Sequence, residues 1–280
     1  MRFSLTNEFK DRLRDEIINS NIDFIKKSFK GVSYVDITEL LYEFDSKDSK
    51  YILDNIEFGT SAKIISELDE DNRKNFLKIF SAVEVAKYLE IIDSDDGADI
   101  LSELDFEFRN NVILEIQDSE KSKNLKDLLQ YDEDVAGGLM AKELVKCNIN
   151  WKINQCIDLI KKQAENVSNI YSVYVTDNKG KLLGKVSLKD IILAKDNSRI
   201  KDVYDDYVIS VDAKMNQEEV SQIMQKYDLT VLPVINKRGK LLGRITIDDV
   251  VDVITETAEE ERQIMSGITS DVEEDDSIWK

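Results

Sequence analysis

Histidine is absent from all 280 residues. This removes the commonest general base, the usual zinc ligand and any imidazole-centred triad, and with them most hydrolase chemistry. Cysteine is nearly absent as well. Cys147 and Cys156 make no CxxC or other metal-binding spacing, and such sparse use fits a reducing cytoplasmic setting. No apolar run approaches the roughly 20 residues needed to cross a bilayer. The stretch from Met1 to Lys10 has neither the apolar core nor the cleavage site of a signal peptide, so the chain reads as soluble. Proline occurs once, and 42% of the residues are hydrophobic, enough for two compact domains with cores of their own. Basic residues are outnumbered, 38 against 57 acidic ones, for a net charge of −19. Such a surface argues against nucleic acid and anionic membranes, and for cations or basic partners.

Residues 37–130 carry a period of twelve. An apolar pair followed three residues later by another apolar residue recurs in seven copies: Leu40-Leu41/Phe44, Ile52-Leu53/Ile56, Ile64-Ile65/Leu68, Phe76-Leu77/Phe80, Tyr88-Leu89/Ile92, Ile100-Leu101/Leu104 and Val112-Ile113/Ile116. The spacing i, i+1, i+4 marks one face of a short helix. Twelve residues at about 100° each leave successive faces about 120° out of phase, so the chain must turn between copies. Asp45-Ser46-Lys47-Asp48, Gly59-Thr60-Ser61, Asp69-Glu70-Asp71-Asn72 and Asp93-Ser94-Asp95-Asp96 supply the turns and caps. The expected architecture is a right-handed α-solenoid of short helices over 1–130, with residues 121–126 as a linker at its end. A solenoid with no other feature is ordinarily a scaffold, and its acidic turns ordinarily solvated caps.

The second half contains a duplication. Tyr171–Ile192 and Thr230–Val251 align at a constant offset of 59, and Gly-Lys-Leu-Leu-Gly is identical at 180–184 and 239–243. Each copy reads as a strand (Val173–Thr176; Val231–Ile235), a tight turn ending at Gly180 or Gly239, a second strand and a Ser/Thr-x-x-Asp start to a helix. An amphipathic helix precedes each, Gln155–Gln163 and Gln217–Tyr227. Pro233 is expected at a sheet edge. The layout resembles a tandem CBS-domain pair, an α/β module, over about 139–255, making the whole an α+β multidomain chain. Ser187-x-x-Asp190 and Thr246-x-x-Asp249 have two readings. They are helix-capping boxes, or, as in many CBS pairs, the aspartates hold the ribose of an adenine nucleotide such as ATP.

Between the halves stands Tyr131-Asp-Glu-Asp-Val-Ala-Gly-Gly-Leu-Met140. This segment, placed between a helical superhelix and two CBS repeats, resembles the cytosolic region of the MgtE family of bacterial magnesium channels. Lys226-Tyr227-Asp228-Leu229 and the acidic Ala258-Glu-Glu-Glu261 agree. The resemblance implies a helical domain at 1–130, CBS domains at 131–200 and 201–257, and an acidic exit segment at 258–280. It also implies a homodimer joined by the CBS domains, at the cytoplasmic face of the cell membrane. The chain would stop short of a connecting helix and its own C-terminal membrane domain.

Magnesium takes oxygen ligands in a tight octahedron and keeps several waters, so its sensors need nearby carboxylates and no cage. Asp249, Asp252, Glu256 and Glu260 fall at spacings of three or four on one helix face. A run of that kind is ordinarily solvated. The resemblance implies instead that Mg²⁺ bridges the helical domain to the CBS pair and the CBS pairs to each other. The ligands it carries over are Asp95, Asp99, the backbone near Gly137, Asp228, Asp249, Asp252, Glu260 and Glu261. Ion binding would compact the dimer and close the pore. The rival reading is a soluble adenine-nucleotide sensor using Ser187, Asp190, Thr246 and Asp249, although Ser172 stands where an aromatic ring would stack the base. An enzyme is disfavoured, since no nucleophile–base pair can be assembled and no phosphate-cradling glycine loop is present.

Overall fold

The computed structural model describes residues 6–163, 170, 172–195, 197–251 and 253–255. The chain divides into two compact units, Met1–Gln130 and Tyr131–Lys280.

The first unit is helical. Its elements are α1 (Asn7–Ile18), α2 (Ile22–Phe29), α3 (Tyr34–Leu41), α4 (Ser46–Asn55), α5 (Phe58–Glu67), α6 (Glu70–Leu77), α7 (Ala82–Leu89), α8 (Ser94–Glu103), α9 (Phe106–Glu115) and α10 (Ser119–Leu128). From α6 onward the helices pack mainly by skipping one, α6 on α8, α7 on α9 and α8 on α10, as do α2 on α4 and α3 on α5, while α1 also packs on α2 and α4 packs on α5. The twelve-residue period runs further than the seven copies. Ile17, Phe29, Leu41, Leu53, Ile65, Leu77, Leu89, Leu101, Ile113 and Leu125 are all buried and all in register.

Three expectations need correction. The third apolar residue of each copy does not share the helix face. Ile56, Leu68, Leu104 and Ile116 are C-caps and Phe44, Phe80 and Ile92 lie just past helix ends, where an apolar residue folds back on the last turn. Gly59-Thr60-Ser61 is not a turn but the first turn of α5, whose N-cap is Glu57. Ser61 is buried there, and its hydroxyl donates to the Leu53 carbonyl at 2.8 Å. Residues 121–126 are not a linker, since they lie inside α10 and Lys121 is buried.

A second periodic position explains how the helices close on one another. Ser49, Ser61, Arg73, Arg109 and Lys121 are separated by multiples of twelve. Each donates to a carbonyl at or just past the C-terminal end of an earlier helix: Leu41, Leu53, Ser66, Ser102 and Ile92, respectively. Helix ends leave four carbonyls without intrahelical partners, and these side chains satisfy some of them.

The second unit holds two copies of one sheet. β1 (Val145–Asn148) runs parallel to β2 (Val173–Thr176), which pairs antiparallel with β3 (Leu182–Val186); α11 (Ile153–Gln163) and α12 (Leu188–Leu193) complete the first copy. In the second copy β4 (Val211–Asp212), β5 (Val231–Ile235) and β6 (Leu241–Thr246) repeat that order, with α13 (Gln217–Lys226) and helical residues 247–251 and 253–255. β2 and β5 have the bounds expected from the sequence, whereas the short leading strands β1 and β4 are new. Cys147 and Cys156 lie together in the core of the first copy.

Pro233 sits in the central strand, not at an edge. Its pair partner Arg244 donates its N–H outward to Ala141 (2.9 Å), so Pro233–Arg244 is a non-hydrogen-bonded pair. The missing proline donor therefore faces the β4 side, where β4 begins only opposite Val234.

The identical Gly-Lys-Leu-Leu-Gly motifs have a shared cause. Gly180 (φ +79°) and Gly239 (φ +73°) adopt the left-handed turn conformation that glycine tolerates. The second glycines serve close approach. The lead-in to each copy pairs with the outer edge of the other: Ala141 exchanges hydrogen bonds with Arg244 on β6 (2.8 and 2.9 Å), and Asp205 with Lys185 on β3 (2.8 and 2.9 Å). A Cβ at Gly184 would fall 2.1 Å from the Asp205 carbonyl, and one at Gly243 2.6 Å from that of Ala141. Each exposed edge is thereby covered.

Candidate metal and nucleotide centres

The proposed cation ligands of the first unit sit on α8. Asp95 and Asp96 occupy its first turn, where the helix dipole favours negative charge, and the Asp96 N–H donates to Asp95 Oδ1 at 3.0 Å. Asp99 follows one turn on and is exposed. Sequence reasoning overlooked the counter-charge beside them. Arg73 on α6 forms a partly buried, forked ion pair with Glu103 on α8. The glutamate, then Asp99 and Asp96, hold its guanidinium pKa up against burial. The signal was available, because Arg73 falls on the twelve-residue position of Ser49 and Ser61.

Gly137, Asp228 and Asp249 belong to the second unit. The Gly137 N–H donates to the Ala213 carbonyl at 2.8 Å, while its own carbonyl accepts no hydrogen bond among the described residues. The Tyr131 ring lies against it, so close that a Cβ would fall 2.2 Å from the ring. This gives the Tyr131–Met140 segment its need for glycine. Asp228 ends α13 in the left-handed region (φ +49°), exposed to solvent; Asp tolerates that conformation better than most residues.

Asp249 and Asp190 are equivalents in the two copies with different surroundings. Ser187 caps α12: its hydroxyl accepts from the Asp190 N–H (3.0 Å) and donates to Asp190 Oδ2 (2.6 Å), with both side chains exposed. Thr246 donates from both its N–H (2.6 Å) and its hydroxyl (2.7 Å) to Asp249 Oδ2. There Thr246 is buried and Asp249 half-buried. Burial pushes the Asp249 pKa up to about 6, opposed by the Thr246 bonds and the Arg244 guanidinium and reinforced by Asp248. Each copy makes a different half of the reciprocal capping box, Ser187 accepting from the Asp190 N–H and Asp249 accepting from the Thr246 N–H, and among the described residues Oδ1 of each aspartate makes no hydrogen bond.

Asp252, Glu260 and Glu261 lie outside the described residues. Among the described residues no three His, Cys, Asp or Glu side chains converge to hold a metal ion. The available donors are all oxygens, one or two to a place, which suits a cation that keeps most of its water. One buried polar atom is orphaned near the second copy. The Tyr174 hydroxyl has no hydrogen-bond partner among the described residues, and burial raises its pKa despite the nearby Arg244 cation.

Comparison with known proteins agrees with this layout. Residues 32–134 match the family described as MgtE intracellular N domain, and residues 134–197 and 200–256 each match the CBS domain. The magnesium transporter MgtE of Thermus thermophilus is 36% identical over 147 residues, 52% of this chain and 33% of the relative. The chain thus spans about a third of the length of the curated relatives it matches. The crystal structure of the soluble part of a magnesium transporter superimposes with a TM-score of 0.79 at 28% identity, covering 90% of this chain and 98% of that one. The cytosolic domain of the Mg²⁺ channel MgtE, in complex with ATP, does so with a TM-score of 0.80 at 28% identity, covering 87% and 99%. Among the described residues no helix is long and apolar enough to cross a membrane.

Proposed function

Because the chain belongs to the MgtE family, as an MgtE intracellular N domain followed by a CBS pair homologous to MgtE magnesium transporters, we propose that it is the Mg²⁺-sensing regulatory region of such a transporter. The observation that carries this reading is Asp249. Its carboxyl group is half-buried beside Asp248 and titrates near 6, so at neutral pH a hard cation on its open oxygen relieves both burial and repulsion. Asp95 and Asp99 on α8, Gly137 through its carbonyl, Asp228, Asp252, Glu260 and Glu261 complete the proposed ligand set. Each would hold a hydrated Mg²⁺ weakly, and several such sites bias the population toward a compact state. In a full-length protein that state would hold the membrane pore closed. The region transmits a signal and catalyses nothing.

The CBS domains would join two copies. Ile192 and Leu193 on α12 are 76% and 72% exposed, and Val251, the equivalent of Ile192 in the second repeat, is also exposed. Apolar residues at matched positions form a self-complementary face suited to a twofold dimer. Scattering measurements test the whole reading. A dimer should shrink in radius of gyration on adding Mg²⁺ to about 10 mM, a level suited to weak hard-ion sites. An unchanged radius would defeat the sensor reading.

A nucleotide reading is favoured only at the first repeat. A hydroxyl–carboxylate hydrogen bond closes both pairs, but Ser187 and Asp190 are exposed whereas Thr246 is buried and Asp249 half-buried, so the first pair fits a ribose better. We assign ATP, if bound, to Ser187 and Asp190.

A further inference from the structure

The two hairpin turns of the CBS pair meet. Leu182 N–H donates to the Gly239 carbonyl (2.9 Å), Leu241 N–H donates to that of Gly180 (3.0 Å), and Lys181 stands opposite Lys240 across an antiparallel bridge. This contact gathers Lys179, Lys181, Lys237, Arg238 and Lys240, all exposed, and none forms an ion pair among the described residues. The carboxylate of the first turn, Asp177, accepts from the Lys179 and Lys181 N–H groups (both 2.8 Å). The second turn performs the same task with neutral Asn236, which accepts from Arg238 and Lys240. The lysine stems are laid against the facing turns: Lys240 lies 3.5 Å from a Cβ built at Gly180, and Lys181 lies 3.3 Å from one built at Gly239.

Like charges directly opposite on paired strands are destabilising. A protein of net charge −19 has acidic residues to spare for neutralising such a pair, yet at the turns themselves Asp177, whose carboxyl pKa is lowered by the Lys181 and Lys179 N–H groups and their charges, stands against five cations. The imbalance is regional. Residues 1–130 hold 29 acidic and 18 basic side chains, whereas residues 139–255 hold 16 and 18. Conflicts between local chemistry and stability of this sort mark functional positions.

We propose that the paired turns form an electrostatic contact for the anionic phospholipid surface of a membrane. The cations project from two adjoining exposed turns, a geometry suited to a broad charged surface more than to one small anion. Screening over about 8–10 Å isolates them from the distant acidic residues. Membership of a transporter family puts a bilayer within reach of the module. The inference is independent of the cation-sensing reading, since it uses none of the proposed Mg²⁺ ligands.

The test is co-sedimentation of the whole chain with vesicles of equal parts phosphatidylglycerol and phosphatidylcholine, or of phosphatidylcholine alone. EDTA is present throughout, so that no divalent ion bridges acidic groups to lipid. Binding is expected only to the phosphatidylglycerol vesicles, and should be lost between about 50 and 500 mM NaCl. Each cation near such a surface contributes roughly five-fold in affinity, so Lys181→Gln/Lys240→Gln and Lys179→Gln/Lys237→Gln should each weaken binding about 25-fold. Lys26→Gln/Lys27→Gln on α2, an equal change in net charge on exposed residues, should leave it unaltered. Equal binding to both vesicle types would overturn the proposal, as would equal loss in the α2 control. Retention of inorganic polyphosphate without vesicle binding would also overturn it, by identifying a soluble anion partner.

Discussion

Asp190 and Asp249 occupy one position in a repeated sequence and have different chemistry. Replacing Asp249 by Asn keeps an oxygen for the Thr246 N–H and hydroxyl but removes a charge that burial disfavours. A pKa raised from 3.8 to about 6 corresponds to about 3 kcal/mol at most. For a carboxyl group raised on folding, the stabilising contribution is complete below the unfolded pKa and is lost as pH rises through about 6. At pH 7.5 without Mg²⁺, Asp249→Asn should therefore stabilise the protein by about 1–2 kcal/mol, while Asp190→Asn, exposed, should change it by less than about 0.5 kcal/mol. Thermal melts check both, and a destabilised Asp249→Asn would show that the charge is already compensated. The Ser/Thr-x-x-Asp pairings were legible in sequence because capping is local, set by a three-residue spacing. The burial that separates the two aspartates was not, because it depends on strands and lead-ins far away in the chain. The same limit hid the Arg73–Glu103 pair, which spans 30 residues.

At the scale of elements, period was the strongest signal and boundaries the weakest. The twelve-residue repeat marked the helices because each must bury one stripe. It misassigned the third apolar residue because a residue folded back after a C-cap has the same spacing as one a turn further along. In the CBS copies the strands flanking the Gly-Lys-Leu-Leu-Gly motif were legible from alternation and turn chemistry. β1 and β4, four and two residues long, carry too little pattern. The motif itself separates two roles for glycine. Gly184→Ala must displace the Asp205 backbone and should cost more than about 2 kcal/mol. Gly180→Ala meets nothing closer than 3.5 Å and should cost only about 1 kcal/mol of left-handed backbone strain. Urea unfolding gives the order, and a reversal would remove the close-approach account. In the first unit, Glu84 closes the capping box of α7 and also accepts from Lys50 of α4 at 2.6 Å. Lys50 first, then Ser81, holds its pKa down to about 2. A depressed carboxyl contributes above its unfolded pKa of about 4.5 and loses that contribution as pH falls through about 2. The side chain is partly exposed, so Glu84→Gln should cost about 1 kcal/mol at pH 7, and the difference from wild type should vanish by about pH 2.

For the molecule as a whole, the sequence disclosed class and family through order: helical array, Tyr131–Met140 joint, duplicated α/β unit. Net charge was a poorer guide, since −19 conceals a CBS pair whose basic and acidic residues nearly balance. The charge nonetheless makes a general prediction that must be separated from a specific one. Any salt screens self-repulsion among acidic residues and raises stability slightly. A cation held by named carboxylates does more, by mass action: at ten times its dissociation constant one site contributes about 1.4 kcal/mol. In domains of this size 1 kcal/mol is about 2–4 °C in Tm. About 10 mM MgCl₂ should therefore raise Tm by about 3–6 °C, whereas about 30 mM NaCl, equal in ionic strength, should raise it by less than about 1 °C. With Asp95→Asn/Asp99→Asn the Mg²⁺ increment should shrink while the NaCl increment persists, because screening depends on total charge and coordination on the α8 carboxylates. Equal increments from the two salts would reduce the acidic residues to a solvated surface, which is what a carboxylate-rich sequence ordinarily provides.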